Sequence, residues 1–156
     1  LPRRDEERCT GCGACNERCS SGATSLTDAD GERTISIDGL RCIFCGRCAD
    51  VCPEKALDLT LEPGAADTQR VSLSRGSEEP RPTVDTKLKL QKCRVCGEYM
   101  PVTEKYVAVV RERTLKNLTP ETAAIVGKDM EKYMAVCVSC RRKYSLEWDT
   151  HPRKFI

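Results

Sequence analysis

"RCIFCGRCADVCP", residues 41–53, sets four cysteines within thirteen positions and closes on a proline. Cys42, Cys45, Cys48 and Cys52 stand two, two and three residues apart. Upstream, "RCTGCGACNERCS", residues 8–20, repeats the spacing through Cys9, Cys12, Cys15 and Cys19 at a constant offset of 33, with Ser20 where the later copy has Pro53. The match carries residues 8–27 onto 41–60, taking Arg8 to Arg41, Gly13 to Gly46, Ala23 to Ala56, Leu26 to Leu59 and Thr27 to Thr60. Two copies of a unit too short to fold alone imply one pseudo-twofold domain. Between them "TSLTDADGERTISID" reads as a hairpin, with β-prone Thr24–Thr27 and Arg33–Ile37 joined through the tight-turn pair Asp30-Gly31. Short helical turns are expected after Cys15 and Cys48, leading into the fourth cysteine of each set.

The 156 residues are 4% aromatic and 32% charged, which leaves little material for a conventional core. Small domains in that position rely on disulfides, metals or partners. Six disulfides could be drawn from the 12 cysteines, but they need an oxidising compartment. The opening "LPRRDEER" is charged rather than signal-like, and no apolar run approaches the length of a membrane span. Because the chain opens on Leu1 rather than Met, an earlier segment is expected to have been trimmed or left out. All the cysteines lie in tight clusters, which suits chelation better than loop-closing bridges. The formal charge of +2 says little about partners.

Cys-x2-Cys-x2-Cys-x3-Cys-Pro is the ligand pattern of [4Fe–4S] clusters in two-cluster ferredoxins, where the fourth cysteine serves the other cluster. One cluster is therefore assigned to Cys9, Cys12, Cys15 and Cys52, the other to Cys42, Cys45, Cys48 and Cys19. Zinc in these eight cysteines is the structural alternative. Gly11, Gly13 and Gly46 suit a loop wrapped closely round a cluster, and Ile43 and Phe44 are expected to keep water from the second one. Pro53 supplies a turn but no ligand, so Ser20 in its place leaves the first set complete.

Residues 62–86, rich in Pro, Gly, Ser and charge, read as a linker, either disordered or folded onto a partner. From Lys87 a second unit contains Cys93-x2-Cys96, a β-prone run "KYVAVV" at 105–110, and a helix start at Thr119-Pro120-Glu121. Ala124, Ile125, Met130, Tyr133 and Met134 mark the expected buried face of that helix, which ends near Met134 before Cys137-x2-Cys140. Four thiolates in two pairs give a closed tetrahedral site of the kind structural zinc prefers, and a rubredoxin-like single iron takes the same ligands. The fold class is α+β: a pseudo-twofold, bacterial-type dicluster ferredoxin domain over 1–61, the linker over 62–86, and a four-cysteine zinc-ribbon or rubredoxin-like module over 87–156 with a basic tail.

No carboxylate pair, nucleophile–base set or phosphate loop stands out, so no catalytic residue is assigned. His151, the one histidine, reads as a surface residue, and Trp148 and Phe155 as local packing or an anchor for the tail. The basic stretches "CRRKYS" (140–145) and "HPRKFI" (151–156) read as a solvated or partner-facing surface, with nucleic acid not expected.

The order "CTGCGACNERC … CIFCGRCADVCPEKAL … CRVCGEYMPV … CVSCRRKY" resembles the small iron–sulfur subunit of formate hydrogenlyase and related subunits of membrane-bound group 4 [NiFe] hydrogenases. The ferredoxin part is also similar, more distantly, to the dicluster subunit of respiratory complex I. The resemblance covers Cys9 to about Leu61 and Lys92 to about Tyr144. It implies a non-catalytic subunit in a hetero-oligomer, peripheral on the cytoplasmic face of the membrane. Such a subunit passes electrons from an iron–sulfur input subunit, formate- or ferredoxin-oxidising, to the hydrogenase small and large subunits. A freestanding soluble ferredoxin is the rival reading, and a zinc-ribbon nucleic-acid binder is a third.

Overall fold

The computed structural model describes residues 2–59 and 83–143, so Thr60, Leu61, most of the expected linker, Tyr144, Trp148, His151 and Phe155 lie outside the described residues. The chain divides into two units, 1–87 and 88–156. Strand β5, Thr83–Lys92, runs across that division. The expected linker therefore gives way to a strand at Thr83, a few residues earlier than its composition suggests.

In the first unit, β1 (Arg3–Arg4) pairs antiparallel with β4 (Leu57–Asp58), and β2 (Thr24–Ala29) with β3 (Glu32–Asp38). Asp30 and Gly31 both take positive φ, 51° and 81°, the backbone that a two-residue hairpin turn requires. Helices α1 (Ala14–Glu17) and α2 (Arg47–Asp50) begin one residue before Cys15 and Cys48 rather than after them. The 33-residue offset reaches further than side-chain identity does. Arg3↔Asp58 and Arg4↔Leu57 in one strand pair become Ser36↔Ser25 and Ile37↔Thr24 in the other. Asp5 N–H donates to Ala56 O at 2.8 Å, as Asp38 N–H does to Ala23 O. The twofold is a backbone property, and it begins before the first cysteine.

Ile35, Ile37, Leu57 and Cys15 form the buried core, with Cys9, Leu26, Cys48 and Ala49 packed against it. Three of these eight residues are cysteines assigned as cluster ligands, so the core is built around the sites. Deleting a ligand removes core as well.

In the second unit β5 pairs antiparallel with β6 (Tyr99–Thr103), Leu90 opposite Thr103 and Lys92 opposite Tyr99. The β-prone run at 105–110 lies in a helix instead, α3 (Glu104–Lys116). Thr103 caps it, its Oγ1 accepting from Tyr106 N–H at 3.1 Å, with Glu104 in the first turn and Arg113 and Lys116 in the last. Lys105, Val107, Val109, Val110, Arg111, Thr114, Leu115 and Leu118 are half-buried, and from Val107 the set at 107, 110, 111, 114, 115 and 118 follows a helical period that outweighs the local preference of valine for strands. Helix α4 (Pro120–Tyr133) starts at Thr119 as expected. Its inner face matches expectation in part: Met130 is buried and Tyr133 and Met134 half-buried, but Asp129 is buried and Ala123, Val126 and Gly127 half-buried as well, while Ala124 and Ile125 face solvent. Gly127 is where α3 comes near, since a Cβ there would meet Leu115 Cδ2 at 3.6 Å. Cys93, Met100, Val136 and Cys140 make this unit's core, and half of that core is again cysteine.

Candidate metal centres

A cleft of about 330 Å³, open at its mouth, is lined by Cys9, Cys12, Cys15 and Cys52. A second, of about 350 Å³, is lined by Cys42, Cys45, Cys48 and Cys19. Each cleft thus takes three thiols from one half of the repeat and one from the other. Shifting the residues of the first cleft by 33 converts every one of them into a residue of the second: Arg4 becomes Ile37, Thr10 Ile43, Gly11 Phe44, Ala14 Arg47 and Glu54 Ser21, while Ile35 becomes Pro2. The eight thiols do not converge on a point. Among the described residues, the one group of three or more potential ligands with all donor atoms within 4.8 Å is Cys93, Cys96, Cys137 and Cys140. Sulfurs that surround a space suit a cluster several atoms across, and sulfurs that meet suit a single ion.

Local backbone geometry aims the thiols. Gly13 and Gly46, at φ 83° and 80°, turn each loop into its short helix. A Cβ on either would lie 3.1 Å from a leucine Cδ1, of Leu26 or Leu59 respectively. Gly11 (φ 70°) has as its counterpart Phe44, held at φ 56° without a glycine's freedom. After each fourth cysteine the chain folds back identically, Gly22 N–H to Cys19 O and Lys55 N–H to Cys52 O, both 3.2 Å. Ser20 therefore makes the same turn as Pro53, and its hydroxyl also lies 3.8 Å from Cys45 Sγ in the other half.

Thiol ionisation follows these surroundings. Burial pushes Cys15 and Cys48 up, in Cys15 against the pull of the Arg4 guanidinium. Burial also raises Cys19, but hydrogen bonds from Thr24, Ser21 and Ala23 outweigh it and bring the thiol down to about 7. Cys45 is lowered by the Arg47 N–H and then by the Ser20 hydroxyl.

The two loops differ in cover. Around the first, Thr10, Gly11 and Gly13 are buried, and Arg33, ion-paired with Asp28 at 2.6 Å, donates to Gly11 O at 2.9 Å. Around the second, Ile43 and Phe44 line the cleft as expected but are 64% and 49% exposed. They rim it rather than seal it. Arg4 escaped the sequence reading: it is buried, donating to Ile35 O at 3.0 Å and lying 3.9 Å from Cys15 Sγ. Asp5 and Asp38, 33 apart and each placing its side chain on a nearby backbone N–H, were the signal that the repeat extends toward it.

At the second unit's site, the Cys93 pair sits in the turn between β5 and β6, where Gly97 (φ 76°) donates to Cys93 O at 2.9 Å and Cys93 N–H to Glu98 O at 2.8 Å. Cys137 precedes, and Cys140 lies within, helix α5 (Val138–Lys143). The second pair therefore opens a helix, whereas the first sits in a turn between strands. Cys137 N–H donates to Cys93 Sγ at 3.3 Å, and Cys96 and Cys137 Sγ are 3.7 Å apart. Zinc–thiolate bonds of about 2.3 Å put the tetrahedral edge at about 3.8 Å. N–H groups of Cys137 and Cys96 hold Cys93 down to about 6. Glu98 N–H pulls Cys96 down too, but the sulfurs of Cys93, Cys137 and Cys140 overcome it and push Cys96 up to about 12. Four thiols this close cannot all ionise without a cation among them. The donor set fits one ion, and its chemistry accepts zinc or iron.

Residues 8–56 match the family model of the 4Fe-4S dicluster domain. No curated protein matches the chain. Residues 8–56 thus carry a ferredoxin-type iron–sulfur domain, which supports electron transfer through iron–sulfur clusters, and a second group of four cysteines outside the matched residues can hold a metal. No helix among the described residues is long and apolar enough to cross a membrane.

Proposed function

We propose that this chain is the electron-transfer subunit of a hydrogenase-type membrane complex, relaying electrons through two [4Fe–4S] clusters. The observation that carries the relay is the pair of offset-related clefts, each lined by three cysteines of one half and one of the other. Cys9, Cys12, Cys15 and Cys52 hold one cluster, and Cys42, Cys45, Cys48 and Cys19 the other. When bound, the clusters supply one-electron exchange at low reorganisation cost. The chain's own residues fix the sites within one rigid core, bury Cys15 and set the charge around each cleft. Cys93, Cys96, Cys137 and Cys140 hold one zinc as a closed clip that keeps the second unit folded.

The partners follow from the resemblance of "CIFCGRC" together with "CRVC … CVSC": an iron–sulfur input subunit on one side and the hydrogenase subunits on the other, at the cytoplasmic face of the membrane. Exposed Ile43 and Phe44 at the second cleft support a bound rather than a freely diffusing carrier. Native anaerobic purification from membranes tests this. Co-purification with hydrogenase subunits is expected, and a lone monomer retaining both clusters would leave only the soluble carrier.

A further inference from the structure

Shifting one cleft onto the other by 33 residues exposes a difference in charge as well as in shape. On the side of Cys9, Cys12, Cys15 and Cys52, β1 presents Arg4, 8% exposed, anchored on Ile35 O at 3.0 Å with its second nitrogen 3.9 Å from Cys15 Sγ. On the other side the same register position holds Ile37, 1% exposed. A guanidinium keeps its proton throughout the physiological range, so Arg4 is a fixed positive charge beside one ligand sulfur.

Among the described residues, two other charged residues line the clefts. Glu54 lines the Arg4 side, half-buried, and Arg47 lines the other side but is exposed to water. Water screens the Arg47 charge strongly and the buried Arg4 charge weakly, so the two cations do not cancel. Glu54 opposes Arg4 but is only half-buried, so water screens its charge more than it screens that of Arg4, which lies 3.9 Å from Cys15 Sγ. The buried cation therefore dominates the difference.

We propose that Arg4 is a positioning residue for electrons: it makes the centre at Cys9, Cys12, Cys15 and Cys52 the easier of the two to reduce, and so gives the relay a resting place for the first electron. Adding an electron adds one negative charge with no bond made or broken and no proton required, and a fixed cation and an N–H on a ligand sulfur both favour the reduced form. The electron comes from an external one-electron reductant, which is oxidised as the Arg4-side centre is reduced. The inference rests on the two-cluster reading above.

The test is an EPR-monitored redox titration of the full chain, anaerobically reconstituted, as wild type, Arg4→Ile, Arg4→Gln and Arg4→Lys. The Ile variant installs the residue already tolerated at the equivalent position. Its first reduction step is expected to become at least tenfold less favourable, about 59 mV lower for a one-electron couple, with the second centre unmoved. Arg4→Lys should restore most of the difference, which mere repacking would not do. If Arg4→Ile does not assemble both clusters, Arg4→Gln decides, since it removes the charge while keeping a polar anchor for Ile35 O. An unmoved first step in a variant holding both clusters, or a shift of the second step instead, overturns the inference. A wild-type protein that binds fewer than two clusters overturns the relay reading itself, and iron analysis tells the cases apart.

Discussion

Asp28 and Arg33 show how one residue pair reaches a site that neither of them lines. The Arg33 Nε and a terminal nitrogen bond both Asp28 oxygens, at 2.7 and 2.6 Å, and its other terminal nitrogen holds Gly11 O at 2.9 Å. The hairpin is thereby tied to the loop between Cys9 and Cys12. Arg33 is buried and Asp28 lies at the surface, with side chains 8% and 29% exposed, so water screens the pair in part. Asp28→Asn should cost about 1 kcal/mol, below the full range of hydrogen bonds to charged groups because water screens the exposed carboxylate, and should speed loss of the adjacent cluster. The measurement is the denaturant midpoint of the reconstituted protein with the rate of bleaching alongside. Hydrogen bonds from Arg33 hold the Asp28 carboxyl below its ordinary value. A depressed pKa in the folded state stabilises above the unfolded pKa, about 3.9, and loses that contribution as pH falls through the folded value. The gap between wild type and Asp28→Asn should therefore be constant from about pH 5 upward and close below about pH 4. A gap that instead widened with acid would mean that the carboxylate destabilises its site.

Short elements decide where the thiols point, and their glycines are the weak points. Gly46→Ala forces a side chain into the left-handed region, at a cost of about 1–2 kcal/mol, and puts its Cβ 3.1 Å from Leu59 Cδ1. Gly13→Ala should behave alike against Leu26, and each should lower the denaturant midpoint while loosening mainly the cluster of its own loop. The fourth cysteines behave differently, because each lies in the opposite cleft. Cys52→Ser should damage the cluster at Cys9, Cys12 and Cys15 and spare that at Cys42, Cys45 and Cys48. Loss of the latter by EPR would overturn the crossed assignment.

At this scale much was legible. Asp30-Gly31 announced its hairpin because only a few residue pairs accept two positive φ values, and Thr119-Pro120 announced α4 because a proline is harmless only at a helix start. The run at 105–110 misled because three valines resemble a strand locally. The deciding information, a capping threonine before it and half-buried positions continuing to Leu118, lay outside the run. Arg4 and Arg33 were not legible at all. The carbonyls they hold, Ile35 O and Gly11 O, stand 31 and 22 residues away, and only the folded backbone brings them together.

For the whole molecule, the question is what holds so little apolar material in place. Among the described residues, the packed core cluster of each unit holds four buried residues, and five of the twelve cysteines lie in or against the first cluster or within the second. Metal binding and folding must therefore be coupled in both units, with the free energy of ligation standing in for a missing hydrophobic core. A structural zinc site contributes an apparent 10–16 kcal/mol, about as much as the whole stability of a small domain. The prepared protein should contain about eight irons and one zinc, whereas about nine irons without zinc would mean a mononuclear iron at the second site. Because the two units have separate cores, the two kinds of metal should also leave separately. Cys137→Ser should abolish the zinc and melt α3 and α4, read as lost helical circular dichroism and new proteolytic cleavage within 104–133. Its iron content and EPR spectrum should stay those of the wild type. Simultaneous loss of both clusters in that variant would show that the four-cysteine site supports the ferredoxin domain as well as its own unit.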